Sequence, residues 1–207
     1  MIKNVIFDFG QVLIHFDPKY MVERDVKDEA DSKFLQDVIF DRLYWDKLDS
    51  GDITDEEVVI SSKARLPKRL HSYVESIYYS WIYNIPEIDG MRELVAELRD
   101  NHGIRVFLLS NISEYFAKHK DEIPCLAEFE KCILSASYGV VKPSKEIFKI
   151  LCDECNILPN ETLFVDDSEK NIRGAIDFGI EGYLFDGNVE RLKNTLTDLL
   201  SEEGQQL

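Results

Sequence analysis

Five short, mostly apolar runs constrain the fold of this chain more than any other feature of its sequence. Each run spans three to five residues and gives way to polar or small residues. Continuous rather than alternating hydrophobicity is typical of strands that are buried on both faces, as in a parallel sheet covered by helices. We therefore predict five parallel strands, at residues 4–7, 105–109, 132–134, 162–165 and 182–185.

Helical segments alternate with the strands from about residue 86 onward. One predicted helix spans 91–102 and ends before Gly103, and another spans 169–178 and ends before Gly179. Glycine is the residue most often found just past a helix end. Two more helices are predicted at 144–156 and 189–200. The alternation indicates an α/β fold, a doubly wound and mainly parallel sheet.

Residues 18–85 interrupt this alternation. The segment is rich in helix formers and aromatic residues, and it contains no convincing strand. Pro18 and Pro86 lie at its two ends, and proline commonly marks the boundaries of elements. We therefore predict two domains, an α/β core formed by residues 1–17 and 86–207 and an inserted helical cap of about four helices at residues 18–85.

The charge balance limits the partners of the protein. Lysine and arginine number 24 against 40 aspartates and glutamates, which gives a formal net charge of −16 at pH 7. A surface this negative repels phosphate backbones, so nucleic acid is not an expected partner. No apolar run approaches the roughly 18 residues of a membrane span, and the N-terminus lacks the layout of a signal peptide. We expect a cytoplasmic protein, a monomer or weak homodimer, with no membrane association.

The residues that follow the strands carry the chemistry. Ligands of open α/β sheets bind beyond the carboxyl ends of the strands. Clustered carboxylates repel each other, Mg²⁺ relieves that repulsion, and a carboxylate can attack phosphorus. The pattern therefore indicates phosphoryl transfer with Mg²⁺ as cofactor. The candidate residues are Asp8, Ser110, Asn111, Lys142, Asp166 and Asp167.

Four motifs in this chain together resemble those of the haloacid dehalogenase superfamily of hydrolases. In chain order they are FDFGQVL at 7–13, LLSN at 108–111, GVVKP at 139–143 and FVDDS at 164–168. On these motifs the chain is identified as a member of subfamily I, in which a helical C1 cap follows the first strand. The resemblance covers essentially the whole chain. It implies a Rossmann-like core and a mobile cap that covers the site and selects the substrate.

The resemblance implies a metal site built from the first and fourth motifs. Asp8 would be both the nucleophile and a Mg²⁺ ligand, and the backbone carbonyl of Gly10 would be a second ligand. Asp167 would bind the metal directly, and Asp166 would bind it directly or through water. The implied substrate is a small phosphorylated metabolite, such as a sugar phosphate, which would be hydrolysed through an aspartyl-phosphate intermediate.

The resemblance assigns the phosphoryl group to the second and third motifs. Ser110 and Lys142 would bind its oxygens and act in catalysis by stabilising charge in the transition state. Asn111 would assist them in binding the substrate. Ser168, which precedes a predicted helix, is expected to cap it.

Gly10 is the point at which the first motif departs from the family pattern. Most phosphatases of the superfamily have aspartate two residues after the nucleophile, where it protonates the leaving oxygen and activates water. Glycine has no side chain to carry a proton, and such acid–base help contributes roughly 10²–10⁴ in rate. The variant is similar to a branch that includes glucose 1-phosphate phosphatases. A good leaving group would make the missing acid unnecessary, or a water molecule or a cap residue would supply the proton instead.

Three other functions stay open at this point. A 2-haloacid dehalogenase uses the same aspartate to attack carbon and needs no metal, whereas the Asp166–Asp167 pair favours metal ligation. A phosphomutase depends on the acid–base group that Gly10 lacks. A catalytically weak or inactive phosphate-ligand binding or regulatory protein is favoured only by Gly10. Turnover of p-nitrophenyl phosphate with Mg²⁺ separates that last function from a phosphatase.

Overall fold

Five parallel strands form one sheet in the part of the chain that the structure describes. The computed structural model describes residues 1–83 and 85–202. The strands are β1 Asn4–Phe7, β2 Arg105–Ser110, β3 Lys131–Leu134, β4 Thr162–Asp166 and β5 Glu181–Leu184. They lie in the order β3-β2-β1-β4-β5, and each neighbouring pair is parallel.

The structure confirms all five predicted strands, with ends that differ by at most one residue. The central strands β1, β2 and β4 are buried along nearly their whole length, as their continuous hydrophobicity predicts. The edge strands β3 and β5 are more exposed. The doubly wound, parallel α/β fold is therefore correct.

The helices surround this sheet. Those with α-helical geometry are α1 Pro18–Glu23, α2 Glu29–Ile39, α3 Arg42–Asp49, α4 Asp55–Arg65, α5 His71–Ser80, α6 Met91–His102, α7 Glu114–His119, α8 Lys145–Cys155, α9 Glu169–Phe178 and α10 Val189–Glu202. None of the described helices is long and apolar enough to cross a bilayer.

The four predicted core helices are present as α6, α8, α9 and α10. Helix α8 is shorter than predicted because both of its outer residues are caps. The Ser144 side chain accepts a hydrogen bond from the Glu146 N–H, and Asn156 is left-handed with φ 50°. The short helix α7 was not predicted; the Ser113 hydroxyl caps it by accepting from the Phe116 N–H.

Alternate residues of each strand join two separate apolar layers. Ile6 on β1 packs in the layer that contains Phe148 of α8 and Ala175 of α9. Its neighbours Val5 and Phe7 face the other layer, which α6, α10 and the helices of residues 18–80 share. Side chains on a strand point alternately to opposite faces, so both faces of the sheet are covered.

Residues 18–83 contain five α-helices rather than about four, together with two short 3₁₀ turns. The chain enters and leaves this segment side by side, because the His15 N–H donates to the Pro86 carbonyl at 2.9 Å and the Ile88 N–H donates to the Leu13 carbonyl at 2.8 Å. The division into a core and a cap at 17/18 and 85/86 stays a prediction. Residues 203–207 of the predicted core lie outside the described residues.

The order of the strands places a switch point between β1 and β4. From β1 the chain moves to β2 and β3 on one side, and it then crosses to β4 and β5 on the other. The helices that follow β1 and β4 in such a sheet diverge and leave a crevice at the carboxyl edge. Asp8 and Asp167 come directly after these two strands.

Candidate active site

A cavity of about 540 Å³ lies at this carboxyl edge of the sheet. The ends of β1 and β2 and the loops after β3 and β4 form its floor, and α3 and the turn at 81–83 contribute its other walls. Six of the seven predicted site residues line it directly, namely Asp8, Gly10, Ser110, Asn111, Lys142 and Asp167. The seventh, Asp166, is fully buried and is ion-paired with Lys142.

Lys142 joins two of the carboxylates in this cavity. Its ammonium lies 2.7 Å from Asp8 Oδ1 and 2.8 Å from Asp166 Oδ2. The side chains of Lys142 and Asp166 are almost completely buried. A buried charge is tolerated only when it is paired and hydrogen-bonded, so each member of this group depends on the others.

The shared burial shifts the protonation equilibria of the group. Burial raises the pKa of Asp8 to about 7, and although Lys142 opposes this shift, the nearby Asp166 adds to it. Burial alone would lower the pKa of Lys142, but Asp8 and Asp166 outweigh it and raise that pKa above its usual value. Lys142 is therefore held as a cation between two carboxylates.

Asp166 is a fixed part of this site. Besides Lys142, its oxygens accept from the Ser168 N–H at 2.8 Å and from the Asn171 amide at 3.0 and 3.1 Å. Ser168 occupies the position before α9, but its side chain makes no capping hydrogen bond, so the expected capping role is wrong. Asn171 was missed at the sequence level, although its position five residues after Asp166, in the first turn of the predicted helix, could have indicated this local contact.

The three acidic side chains can be brought onto one metal ion. Oxygen atoms of Asp8, Asp166 and Asp167 lie within 4.8 Å of one another. Burial and the neighbouring Asp166 raise the pKa of Asp167, which indicates that the group repels added negative charge. Hard oxygen donors of this kind suit Mg²⁺, and a bound cation relieves their repulsion. The donor set therefore fits Mg²⁺.

Asn111 holds the backbone that carries Lys142. Its side-chain oxygen accepts from the Lys142 N–H at 2.8 Å, and its amide nitrogen donates to the Lys142 carbonyl at 3.2 Å. The reciprocal pair fixes the loop after β3 against the end of β2. Ser110, the last residue of β2, is buried beside it. The predicted binding roles of Ser110 and Asn111 stay predictions.

Gly174 lets α9 approach the same loop closely. A Cβ atom at this position would lie 2.7 Å from the Pro143 carbonyl oxygen and 2.6 Å from Pro143 Cβ. No L side chain fits such a space without movement of the backbone. The glycine therefore permits the contact that seats Lys142 beside Asp8.

The backbone conformation at position 10 does not require glycine. Its φ lies outside the left-handed region, and a Cβ built on it would meet only Phe16 Cβ, at 3.9 Å. The left-handed residue of this turn is Gln11, with φ 58°. Position 10 therefore has room for a side chain, and the carboxyl group that the family pattern places there is missing for another reason.

The helices of residues 18–83 supply the outer wall of the cavity. Trp45 and Trp81 line it together with Phe16, with ring centroids between 5.4 and 5.8 Å apart. The polar residues that this segment contributes to the cavity all lie on helix α3, and they are Arg42, Asp46 and Asp49. The sequence singled out none of these three polar residues, because it does not show which face of an inserted helix meets the core.

Comparisons with known proteins agree with this fold. The model of the haloacid dehalogenase-like hydrolase family matches residues 2–179. The D-ribitol-5-phosphate phosphatase of Bacteroides thetaiotaomicron is 29% identical over 207 aligned positions, which cover 88% of this chain and 91% of that protein.

Two solved structures are also similar. A haloacid dehalogenase family enzyme of Bacteroides thetaiotaomicron, solved in complex with magnesium and inorganic phosphate, is 27% identical. The comparison gives a TM-score of 0.67 and covers 93% of this chain and 99% of that one. A predicted haloacid dehalogenase-like family hydrolase from Porphyromonas gingivalis is 24% identical, with a TM-score of 0.69 over 97% of this chain and 98% of that one.

Proposed function

The chain belongs to the haloacid dehalogenase-like hydrolase family, and from this premise we propose that it is a Mg²⁺-dependent phosphatase of a small phosphorylated metabolite. The observation that carries the proposal is the group of Asp8, Asp166 and Asp167 around a buried lysine, at the switch point of the sheet. One carboxylate, a set of metal ligands and a fixed cation are what phosphoryl transfer to aspartate requires.

The nucleophile of this reaction is Asp8. Its Oδ1 is held by Lys142 and by the Phe9 N–H at 2.7 Å, so the carboxylate cannot turn away from the cavity. The other oxygen, Oδ2, attacks phosphorus, the bond from phosphorus to the ester oxygen breaks, and the departing oxygen takes up a proton from an acid or from water in the cavity to give an alcohol. Water then hydrolyses the aspartyl phosphate and releases inorganic phosphate and the Asp8 carboxylate.

Asp8, Asp167, Asp166 and the Gly10 carbonyl would hold Mg²⁺, which would supply positive charge to neutralise the phosphoryl group. Lys142 contributes a second positive charge near the attacking oxygen, and Ser110 binds a phosphoryl oxygen together with Asn111. Contacts within the chain already position the Asp8, Lys142 and Asn111 side chains before substrate arrives, so these groups need little reorganisation in the transition state.

The substrate class follows from the outer wall. Residues 18–85 act as a cap, and the part of the cavity wall that the cap forms combines an aromatic surface with polar groups on α3. In a polyol or sugar phosphate, the carbon atoms would pack on the aromatic rings of this wall and the hydroxyl groups would hydrogen-bond to its polar side chains. The relative that acts on D-ribitol 5-phosphate supports this class.

A panel of sugar and polyol phosphates with Mg²⁺, D-ribitol 5-phosphate included, tests the proposal by release of inorganic phosphate. Asp8→Asn should lower the rate by at least about 10³-fold, and chelation of the metal should abolish turnover. Asp52→Asn removes the same charge from an exposed position outside the cavity and serves as the control. Binding of inorganic phosphate without any turnover would instead support a phosphate-binding protein.

A further inference from the structure

Asp49 is an acidic residue on the cavity wall, and one oxygen of its carboxyl group, Oδ1, has no hydrogen-bond partner among the described residues. It is the last residue of α3 and lines the cavity that contains Asp8 and Lys142. Its Oδ1 atom is inaccessible to solvent, and no donor among the described residues lies within hydrogen-bond distance of it. Leaving a buried polar atom unsatisfied costs about 1–3 kcal/mol, which suggests a functional reason.

The backbone of Asp49 is held firmly against the core. The Ser135 hydroxyl donates to the Asp49 carbonyl at 2.6 Å and also accepts from the Ile112 N–H at 2.9 Å. Gly51 brings the chain so close to Ala136 that an added Cβ would lie 3.2 Å from the Ala136 carbonyl oxygen. Two contacts with the turn after β3 therefore fix the end of α3, and with it the position of this carboxyl group.

The surroundings of Asp49 favour its protonated form. Burial raises its pKa to about 7, with a further upward contribution from Asp46 and Asp8 that Arg42 and Lys142 oppose. These are the charged neighbours on α3 and on the sheet edge. The carboxyl group also stands at the C-terminus of α3, where the helix dipole disfavours negative charge. A carboxyl group of this kind can both donate and accept a proton near neutral pH.

We infer that Asp49 is the acid–base residue of this phosphatase and takes the role for which Gly10 has no side chain. The inference rests on the proposed function. In the first step an Asp8 oxygen bonds to phosphorus, the bond from phosphorus to the ester oxygen breaks, and the Asp49 proton passes to that oxygen to give an alcohol. In the second step the Asp49 carboxylate takes a proton from water as water attacks the aspartyl phosphate. Asp8 leaves as a carboxylate, and Asp49 is again protonated.

Two substrates of similar size test this assignment with the Asp49→Asn variant. Benzyl phosphate must expel a poorly leaving alkoxide, whereas p-nitrophenyl phosphate expels a phenolate that leaves without help. Asparagine keeps the size and hydrogen-bonding capacity of the side chain but cannot supply a proton. Asp52→Asn makes the same substitution three residues away, at an exposed position outside the cavity. Rapid-mixing kinetics with Mg²⁺ measure the first step with each ester.

Asp49→Asn should slow the first step with benzyl phosphate by at least about 10²-fold, and with p-nitrophenyl phosphate by less than about 3-fold. Because the second step also loses its base, a burst of p-nitrophenolate equal to the enzyme concentration should appear in the variant. Asp52→Asn should match the wild type with both esters.

Equal slowing of both esters, a change in KM alone, or no change would each overturn the assignment of Asp49 while leaving the phosphatase proposal intact. A change in KM alone would indicate that Asp49 contacts the bound ester without transferring a proton to it. A wild-type protein inactive on both esters and on the panel of metabolites would overturn both proposals.

Discussion

Replacing Asp49 by asparagine should change how the stability of the metal-free protein depends on pH. The pKa of this carboxyl group is about 7 in the folded chain, against 3.8 for an ordinary aspartate. The folded state therefore binds the proton more tightly than the unfolded state. As pH rises between these two values, the unfolded state ionises first, so the wild type loses stability. Asparagine stays neutral and escapes this loss.

The size of the effect follows from the gap between the two pKa values. One pKa unit corresponds to about 1.36 kcal/mol, so a gap of about 3 units amounts to about 4 kcal/mol at pH 8. At pH 5, which is about one unit above the unfolded-state pKa, the folded chain still keeps the proton that the unfolded chain has lost. The same relation gives a loss of stability of about 2 kcal/mol at this pH. Below about pH 3 both states are protonated and the effect vanishes. Any constant cost of the asparagine side chain cancels when the two pH values are compared.

Urea unfolding of the wild type and of Asp49→Asn, at pH 5 and pH 8 with a chelator present, measures this difference. The free energy of unfolding of the variant, relative to the wild type, should rise by about 2–3 kcal/mol from pH 5 to pH 8. Asp52→Asn, at an exposed position, should show a change of less than about 1 kcal/mol. A flat difference for Asp49→Asn would refute the reasoning, because the carboxyl group would then ionise as it does in the unfolded chain.

Three further predictions concern the metal, position 10 and the seat of Lys142. Asp167→Ala should raise the Mg²⁺ concentration for half-maximal activity by at least about 10-fold, and an unchanged titration would place the metal elsewhere. Gly10→Asp introduces no contact closer than 3.9 Å for its Cβ, so it should fold. In the Asp49→Asn background it should restore benzyl phosphate hydrolysis by at least about 10-fold; absence of recovery would show that position 10 cannot reach the leaving oxygen. Gly174→Ala would place a Cβ atom 2.7 Å from the Pro143 carbonyl oxygen. It should lower the free energy of unfolding by about 1–3 kcal/mol and reduce kcat. An unchanged free energy of unfolding and an unchanged kcat would show that the loop moves aside without cost.

The sheet could be predicted from the sequence because its determinants are local. Runs such as Val5-Ile6-Phe7 are apolar at every position, and only a strand covered on both sides buries them completely. The polar residue that follows each run must then lie at the same edge of the sheet. This reasoning was enough to collect Asp8, Ser110, Lys142 and Asp167 around one cavity.

The outer half of the site could not be predicted in this way. Asp46, Asp49 and Asp52 look alike in the sequence, each an acid in or beside one short helix. Their surroundings differ in the fold. Ser135 and Gly51 fix the end of α3 against the turn after β3, where the Asp49 Oδ1 atom is inaccessible to solvent, whereas Asp46 and Asp52 are exposed. Asn171 is a different case, since it lies only five residues after Asp166 and its bond to that carboxylate is a local contact in the first turn of α9.

Local hydrophobicity thus determined the sheet and the edge at which the aspartates gather, because a continuously apolar run can be buried only in a strand that is covered on both faces. The acid–base assignment depended on the tertiary structure. Desolvation and the field of neighbouring charges come from residues distant in the chain, such as Lys142 and Asp8 acting on Asp49. Those contributions exist only once the helices of residues 18–83 are packed over the sheet.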